Sequence, residues 1–530
     1  MTLVAYVVAT LGAALLAILL RSRPAAAAAV GCVGLAVAFV LALVMSDSEV
    51  LTIGGSVLAS SPFLRLFLVL GGLVGLFLAV SGILSGSRPD VPGVTLGILG
   101  SSALALALPD ARLAILAATA GGLLGVFTAL VPRAARSGAT VGIREVRAVV
   151  VAATMAIAAA AWIGRDLSEL VAQPVVFGLG YLAFALAAAI RFGAIPFHLW
   201  AARMTDIVPD TALPVLTAWG PAAFAVVTLA WIDGSVAPLL VDLGIERTLV
   251  LGVAVASIVL AAVAAWIQDD IEHVVGYSIV GDAGVVMLGL AALDPEAWAP
   301  TRIWVLAFVV TRSAFAAWAG ALRSAMGTGR IADQRGWVTR APLLAVAFGL
   351  IVVASIGLPG LAAFDARIML VDLAIGGPVG FLVILATFAP LAYYGRLFAV
   401  GLARPSATEE GVAGTAARPH PWRPRLEALD LTDVLGWTRR SLDANRVFAT
   451  AAIAVLLSTL ALATSAGAFG GPAAAEAPPP AQEAPIGSFQ PGPIESIGPA
   501  SAEPEIEPSA VEPSEAVPSE AVPSEAVPSE

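Results

Sequence analysis

The sequence predicts an all-α polytopic membrane protein with about fourteen transmembrane helices, and three observations carry that prediction. The chain has 530 residues, of which 59% are hydrophobic and only 12% charged. Its mean hydropathy of +0.92 lies far outside the range of a soluble globular domain. Apolar runs of about 17 to 25 residues, long enough as α-helix to cross roughly 30 Å of hydrocarbon, recur along it. Finally, all 28 basic residues are arginine, and they are spread unevenly among the segments joining those runs.

The first run, near residues 2 to 20, lacks a basic leading segment and a convincing cleavage site, so it reads as a span, not a removed signal peptide. The second, 25 to 45, holds Cys32. A lone cysteine excludes an intrachain disulfide and any cysteine-ligated cluster or zinc site, and the three histidines are too far apart to suggest a metal site. The third, 63 to 85, starts beside Arg65, whose apolar stem allows it to snorkel. Spans four to six follow at 92 to 108, 112 to 132 and 147 to 164. The seventh, 173 to 195, runs into the stretch RFGAIPFHLW, with Arg191, Pro196 and His198 in succession. Spans eight and nine fall at 212 to 232 and 248 to 266. The tenth, 274 to 293, carries Asp282 near its middle, and the eleventh, 303 to 322, carries Arg312 at similar depth, so the two are expected to pair. The twelfth, 341 to 371, contains Pro359; the thirteenth is 377 to 400 and the last 448 to 466. Abundant Gly and Ala within the spans favour close helix contact. Residues 467 to 530 hold no basic residue and end in EAVPSEAVPSEAVPSE, the composition of a disordered acidic tail, which accounts for the net charge of −10.

Odd-numbered loops hold most of the arginines, whereas the even ones hold only Arg112, Arg165, Arg247 and Arg302. The positive-inside rule then puts both termini outside the cytoplasm. The Arg-rich loop over 401–447 faces the cytoplasm, and its ALDLTDVLGWTRRSLDANRVF suggests an amphipathic helix on the membrane surface.

Proline inside a helix removes a backbone bond and clashes with the carbonyl four residues back, at about 3 kcal/mol. Lipid cannot satisfy the freed carbonyls, so such breaks survive against protein or water. Pro196 and Pro359 break spans seven and twelve, the fourth members of two consecutive five-span units. Five is odd, so the units run through the membrane in opposite senses, as inverted repeats do. The expected organisation is spans one to three over 1–90, a first repeat over 91–232, a second over 247–400, the loop, the last span and the tail. Buried cations are expensive in lipid, so Arg191 and Arg367 should face the interior.

Several motifs, in order, resemble one family. RFGAIPFHLW resembles the K-x-x-x-x-P-F-H-x-W segment of the antiporter-like subunits of respiratory complex I and of Mrp-type cation/proton antiporters, the N-type subunit of NADH-quinone oxidoreductase above all. IQDDIEHVVGYS is similar to that family's Q-x-D-x-K-R-x-x-A-Y-S, GRIADQRGW to its short loop ending in D-x-x-G-L, SIGLPGLAAFDARI to its G-x-P-x-x-x-G-F-x-x-K break, and LAYYGR completes the order. The resemblance covers roughly residues 90 to 400. It implies a proton-translocating module, in the bacterial inner membrane, coupled to redox work in other subunits. No cofactor would sit on this chain, and quinone would be reached only through neighbouring subunits. An Mrp-type antiporter subunit and a non-conducting structural subunit are the other readings. No Gly-rich phosphate loop or Ser/His/Asp arrangement supports a nucleotide site or hydrolytic chemistry, and nothing points to nucleic acid.

The chain departs from the family's pattern where charge matters. Arg191 and Arg367 stand in the places of lysines, Glu272 and His273 in place of a K-R pair, Thr119 nearest the fifth-span glutamate, and Pro221 or Phe224 where the eighth span carries a lysine. Arginine stays protonated in practice, so proton carriers are expected among Asp282, Asp365, Asp372, His198, Glu272, His273 and water. Plainer roles compete with these. His198 could donate to carbonyls freed at the break, Trp200 could anchor at the interface, and Asp269, Asp270 and Glu272 could form a solvated loop. Asp365 and Arg367, two residues apart, would not face each other on a regular helix.

Overall fold

The computed structural model describes residues 1–53, 56–86, 91–129, 136–163, 174–232, 243–404 and 434–469. The acidic tail beyond 469 and the loop over 405–433 lie outside the described residues. Helices α1 (Thr2–Leu19) and α2 (Pro24–Val44) lead into a two-stranded antiparallel hairpin of β1 (Val50–Ile53) and β2 (Ser56–Ala59), in register Val50 with Ala59. Helix α3 (Pro62–Leu84) starts where Ser61 accepts a bond from the Leu64 N–H and Pro62 occupies the first turn. Then come α4 (Val91–Ala107), α5 (Ala111–Ala129) and α6 (Arg136–Ile163).

The seventh expected span is interrupted. Helix α7 (Pro174–Phe192) stops at the residue four before Pro196, whose missing N–H leaves the Phe192 carbonyl without its helical donor. Gly193 takes a left-handed φ of +64°, and a short α8 (Leu199–Met204) resumes the path. The twelfth behaves likewise: α14 (Pro342–Ile356) ends ahead of Pro359, Gly357 and Gly360 turn at φ +70° and +91°, and α15 (Ala362–Ala374) continues. Between the two breaks lie α9 (Gly220–Trp231), α10 (Gly244–Ile267), α11 (Ile271–Ala292), α12 (Trp298–Met326) and the single turn α13 (Trp337–Arg340). The chain closes with α16 (Gly377–Ala386), α17 (Pro390–Leu402) and α18 (Val434–Ser465).

Two further irregularities were not expected. A π-helical stretch, Val215–Trp219, precedes α9, because Pro221 cannot donate to the Thr217 carbonyl. Pro390 likewise cannot donate to Ala386, and α16 ends there.

Among the described residues, nine helical stretches are long and apolar enough to cross a bilayer, with shorter apolar helices at Val91–Ala107, Ala111–Gly125, Val215–Trp231 and Pro342–Ile356. The molecule is thus a mostly helical, polytopic membrane protein. Helices α11 and α12 form its centre, with 89% and 94% of their apolar windows buried, whereas α1 and α2 lie at the periphery at 28%. Large side chains facing outward from α1, α2, α10 and α16 are apolar, as a lipid-facing surface requires.

Candidate functional site

Two buried polar centres and one charged cluster at the bundle end are built around these breaks. At the first, Arg191 in the last turn of α7 is only 2% exposed. Its guanidinium passes between glycines: a Cβ on Gly122 of α5 would overlap Nη2, and one on Gly220 of α9 would lie 3.6 Å from it. Nε and Nη1 have no hydrogen-bond partner among the described residues. The break itself is well satisfied. Trp200 Nε1 donates to the Ile190 carbonyl at 2.9 Å, and the Ile195 N–H donates to Ser257 Oγ of α10 at 2.9 Å.

Trp200 is therefore no interfacial anchor. It is buried, and it does the carbonyl-capping job considered for His198. His198 is half-buried, its Nδ1 lacks a partner among the described residues, and its ring lies 6.2 Å from that of Tyr277.

Glu145 was missed by the sequence reading. It lies on α6, 1% exposed, and Arg191 is the charge that acts on it. Span six was expected from 147, which assigned Arg144, Glu145 and Arg147 to a loop; the helix instead begins at Arg136 and turns Glu145 inward while both arginines stay exposed. Thr119 supplies no substitute charge: its hydroxyl donates to Ile115 of its own helix at 2.6 Å. Pro221 and Phe224 are both buried and apolar.

At the second centre Arg312 of α12, with no exposed surface, joins three other helices. Nε donates to Asp282 Oδ2 of α11 at 2.5 Å, Nη1 to Tyr394 Oη of α17 at 2.8 Å, and Nη2 to Ser355 Oγ of α14 at 2.9 Å. Such charge-assisted bonds offset the desolvation of a buried ion pair. Arg367 on α15, 2% exposed, donates from Nη2 to the Ile356 carbonyl at 2.6 Å, placing a cation on the C-terminal end of α14 where the break leaves carbonyls free. Its guanidinium also lies 4.9 Å from the Phe388 ring centroid.

A cavity of about 20 Å³ lies between these groups, lined among others by Ser278, Asp282, Ser355, Arg367, Thr387 and Tyr393. It has room for a water molecule and polar partners to hold one. Tyr393 Oη and Arg367 Nε, both buried, have no partner among the described residues. Asp365 and Asp372 are not brought to this centre; both are exposed on α15, and Asp365 points away from Arg367 as the helical spacing requires.

The cluster at the bundle end gathers loops from both parts of the chain. Arg323, near the end of α12, donates to Asp210 Oδ2 at 2.6 Å and to Glu272 Oε1. His273 Nε2 lies 3.0 Å from Asp206 Oδ1, and Arg203 Nη1 lies 3.5 Å from Asp206 Oδ2. Glu272 and His273 thus belong to an ion-pair network, while Asp269 stays 81% exposed, so only part of the acidic run is a solvated loop. Asp210 lies outside the spanning helices, and burial pushes its carboxyl up to about 7, against the pull of Arg323. Asp206 and Asp210 carried no sequence motif that pointed to them.

A family model described as "NADH:quinone oxidoreductase/Mrp antiporter, TM" matches residues 149–391, which include both breaks, Arg191, the Asp282–Arg312 pair and Arg367. Over this region the chain is similar to the antiporter-like membrane-subunit family. Its curated relatives include NADH-quinone oxidoreductase subunit N of Hydrogenovibrio crunogenus, 26% identical over 215 residues, covering 40% of this chain and 44% of that protein. Subunit N 1 of Acidiphilium cryptum is 30% identical over 243 residues, covering 43% and 50%. The chain spans about half the length of the curated relatives it matches. Among solved structures, a chain of the Mrp complex from Dietzia sp. shares the fold with a TM-score of 0.70 at 18% identity, covering 90% of this chain and 98% of that one. A chain of respiratory complex I from Thermus thermophilus shares it at 0.63 and 20% identity, covering 89% and 100%. The fold of these solved chains therefore extends over most of this chain.

Proposed function

We propose that this chain is an N-type membrane subunit of a proton-translocating NADH:quinone oxidoreductase, an ion-conducting module driven by redox chemistry in other subunits. The observation that carries this reading is the match over 149–391 to a family whose curated relatives are named subunit N, over a region in which two interrupted helices hold buried arginines. Breaks at the fourth members of two five-span units, and irregularities at Val215–Trp219 and after Ala386 in the fifth members, support the inverted-repeat organisation. In this reading fourteen spans cross the bacterial inner membrane with both termini outside the cytoplasm.

Arg191, Arg312 and Arg367 act as fixed positive charges, because arginine does not deprotonate in use. Carboxylates, histidine and water carry the proton: Asp282 beside its cavity, and Glu272 and His273 in the network at the cytoplasmic end. Asp365, exposed on α15, would serve only a path formed against a neighbouring subunit. Moving one charge through such a module against about 100 mV takes about 2.3 kcal/mol.

The test is purification of the native complex with identification of its subunits, paired with proton flux in membrane vesicles. Co-purifying cluster-binding and quinone-site subunits, with flux that starts on NADH addition, are expected. A second reading, a monovalent cation/proton antiporter subunit, is favoured by the 0.70 TM-score to the Mrp chain. It would be supported instead by a complex without redox subunits whose flux requires sodium or potassium.

A further inference from the structure

We propose that Glu145 is the residue of the first half that binds and releases the translocated proton, with Arg191 as its fixed counter-charge. This rests on the proton-translocation reading above and names its carrier.

Both side chains are withdrawn from solvent, at 1% and 2% exposure. Each has polar atoms with no hydrogen-bond partner among the described residues: Oε2 of Glu145, and Nε and Nη1 of Arg191. Two opposite charges left incompletely partnered in an apolar interior are costly apart and attractive together. Their head groups lie over one face of α5. A Cβ on Gly122 would overlap Arg191 Nη2, and one on Gly125 would lie 2.8 Å from Glu145 Oε1. Positions three apart on a helix are neighbours, about 5 to 6 Å between Cβ atoms. The two glycines therefore open a window through which a carboxylate from α6 faces a cation from α7.

Arginine cannot alternate between charged and neutral forms, so the exchangeable proton belongs to the carboxylate. The step is a reversible proton transfer with water: an O–H bond of a hydronium ion breaks as one forms at a Glu145 carboxylate oxygen, and that bond breaks in turn as the proton passes to a water molecule. The anionic form faces the Arg191 cation across the glycine face of α5; the neutral form leaves the guanidinium free to act on the next charge along the path. Exposed Arg144 and Arg147 flank Glu145 on the same helix.

The experiment uses the full-length chain in its native complex in membrane vesicles. In complexes that assemble, Glu145→Gln should lower proton flux about a hundredfold or more, the scale of losing a positioned proton-transfer group, while Glu145→Asp keeps most of it. Infrared difference spectra between about pH 5 and pH 9, spanning the range of a perturbed carboxylic acid, should show a C=O band that Glu145→Gln removes and Arg191→Gln shifts. Wild-type flux in Glu145→Gln while Asp282→Asn abolishes it would overturn this assignment and leave the translocation reading standing. A wild-type complex without flux would overturn that reading, and the infrared band would still decide whether Glu145 takes up a proton. Should Glu145→Gln fail to assemble, the Glu145→Gln/Arg191→Gln double variant removes both buried charges; assembly without flux is expected, and flux from it would overturn the proposal.

Discussion

Taking the charge off Asp282 separates an ion pair that organises the second centre from one that merely fits there. Asp282→Asn deprives Arg312 of the partner at 2.5 Å but leaves Tyr394 at 2.8 Å and Ser355 at 2.9 Å to hold the guanidinium. Arg312→Gln removes the donor to all three and strands a carboxylate in a residue 8% exposed. Removing one member of a buried pair costs about 3 to 5 kcal/mol, chiefly because the other charge is left unpaired, whereas removing both is often near neutral. Each single change should therefore destabilise the chain by about 3 kcal/mol or more, a factor of about a hundred in the folded-to-unfolded ratio. The double variant should fall short of the sum by at least about 2 kcal/mol. Unfolding of the purified full-length chain in increasing denaturing detergent, followed by tryptophan fluorescence, measures all four corners of the cycle. A double variant whose loss equals the sum of the singles would refute the pairing as an energetic unit.

Other expectations concern individual residues. Trp200→Phe removes the N–H that caps Ile190; because the Gly193 N–H also reaches that carbonyl, the loss should be about 1 kcal/mol, read as a lower melting temperature, and an unchanged melt would contradict the capping role. Asp210 is raised in the fold from 3.8 to about 7, so the stability linked to it is fully present below the unfolded value and is lost as pH rises through about 7. Stability of the chain should fall across that window with a slope of up to about 1.4 kcal/mol per pH unit, and Asp210→Asn should flatten it. An Asp210→Asn chain that keeps the wild-type slope would rule this out. Gly122→Ala drives a methyl into Arg191 Nη2 and should destabilise the chain by about 1 to 3 kcal/mol, the range of overpacking. A variant as stable as wild type would mean that the guanidinium has room to move aside.

Much of this was legible in the sequence because lipid imposes simple rules. Apolar length located the long apolar helices, and proline inside an apolar run located two breaks, since the residue four back loses its donor wherever the helix sits. Arg191 and Arg367 were expected inside for the same reason. The sequence was less informative where an element's start is polar. The segment from Arg136 to Arg147 reads as loop on hydropathy, yet it is helical, and that shift hid Glu145. The breaks at Pro221 and Pro390 were equally written in the chain, since both prolines lie well inside expected spans eight and thirteen, where each leaves the carbonyl four residues back without its donor. Asp206 and Asp210 acquire a role only through Arg323 and His273, which tertiary folding brings to them.

One arginine that belongs to neither centre ties the second to its neighbours. Arg247, at the start of α10, donates from Nε to the Ala291 carbonyl at 2.9 Å and from Nη2 to the Leu373 and Ala374 carbonyls at 3.2 and 2.9 Å. It thereby staples the trailing ends of α11 and α15 together. The opposite end of α15 follows two glycines with left-handed φ. Arg367 thus lies on a helix tied down at its trailing end, about two helical turns beyond it, by a second guanidinium.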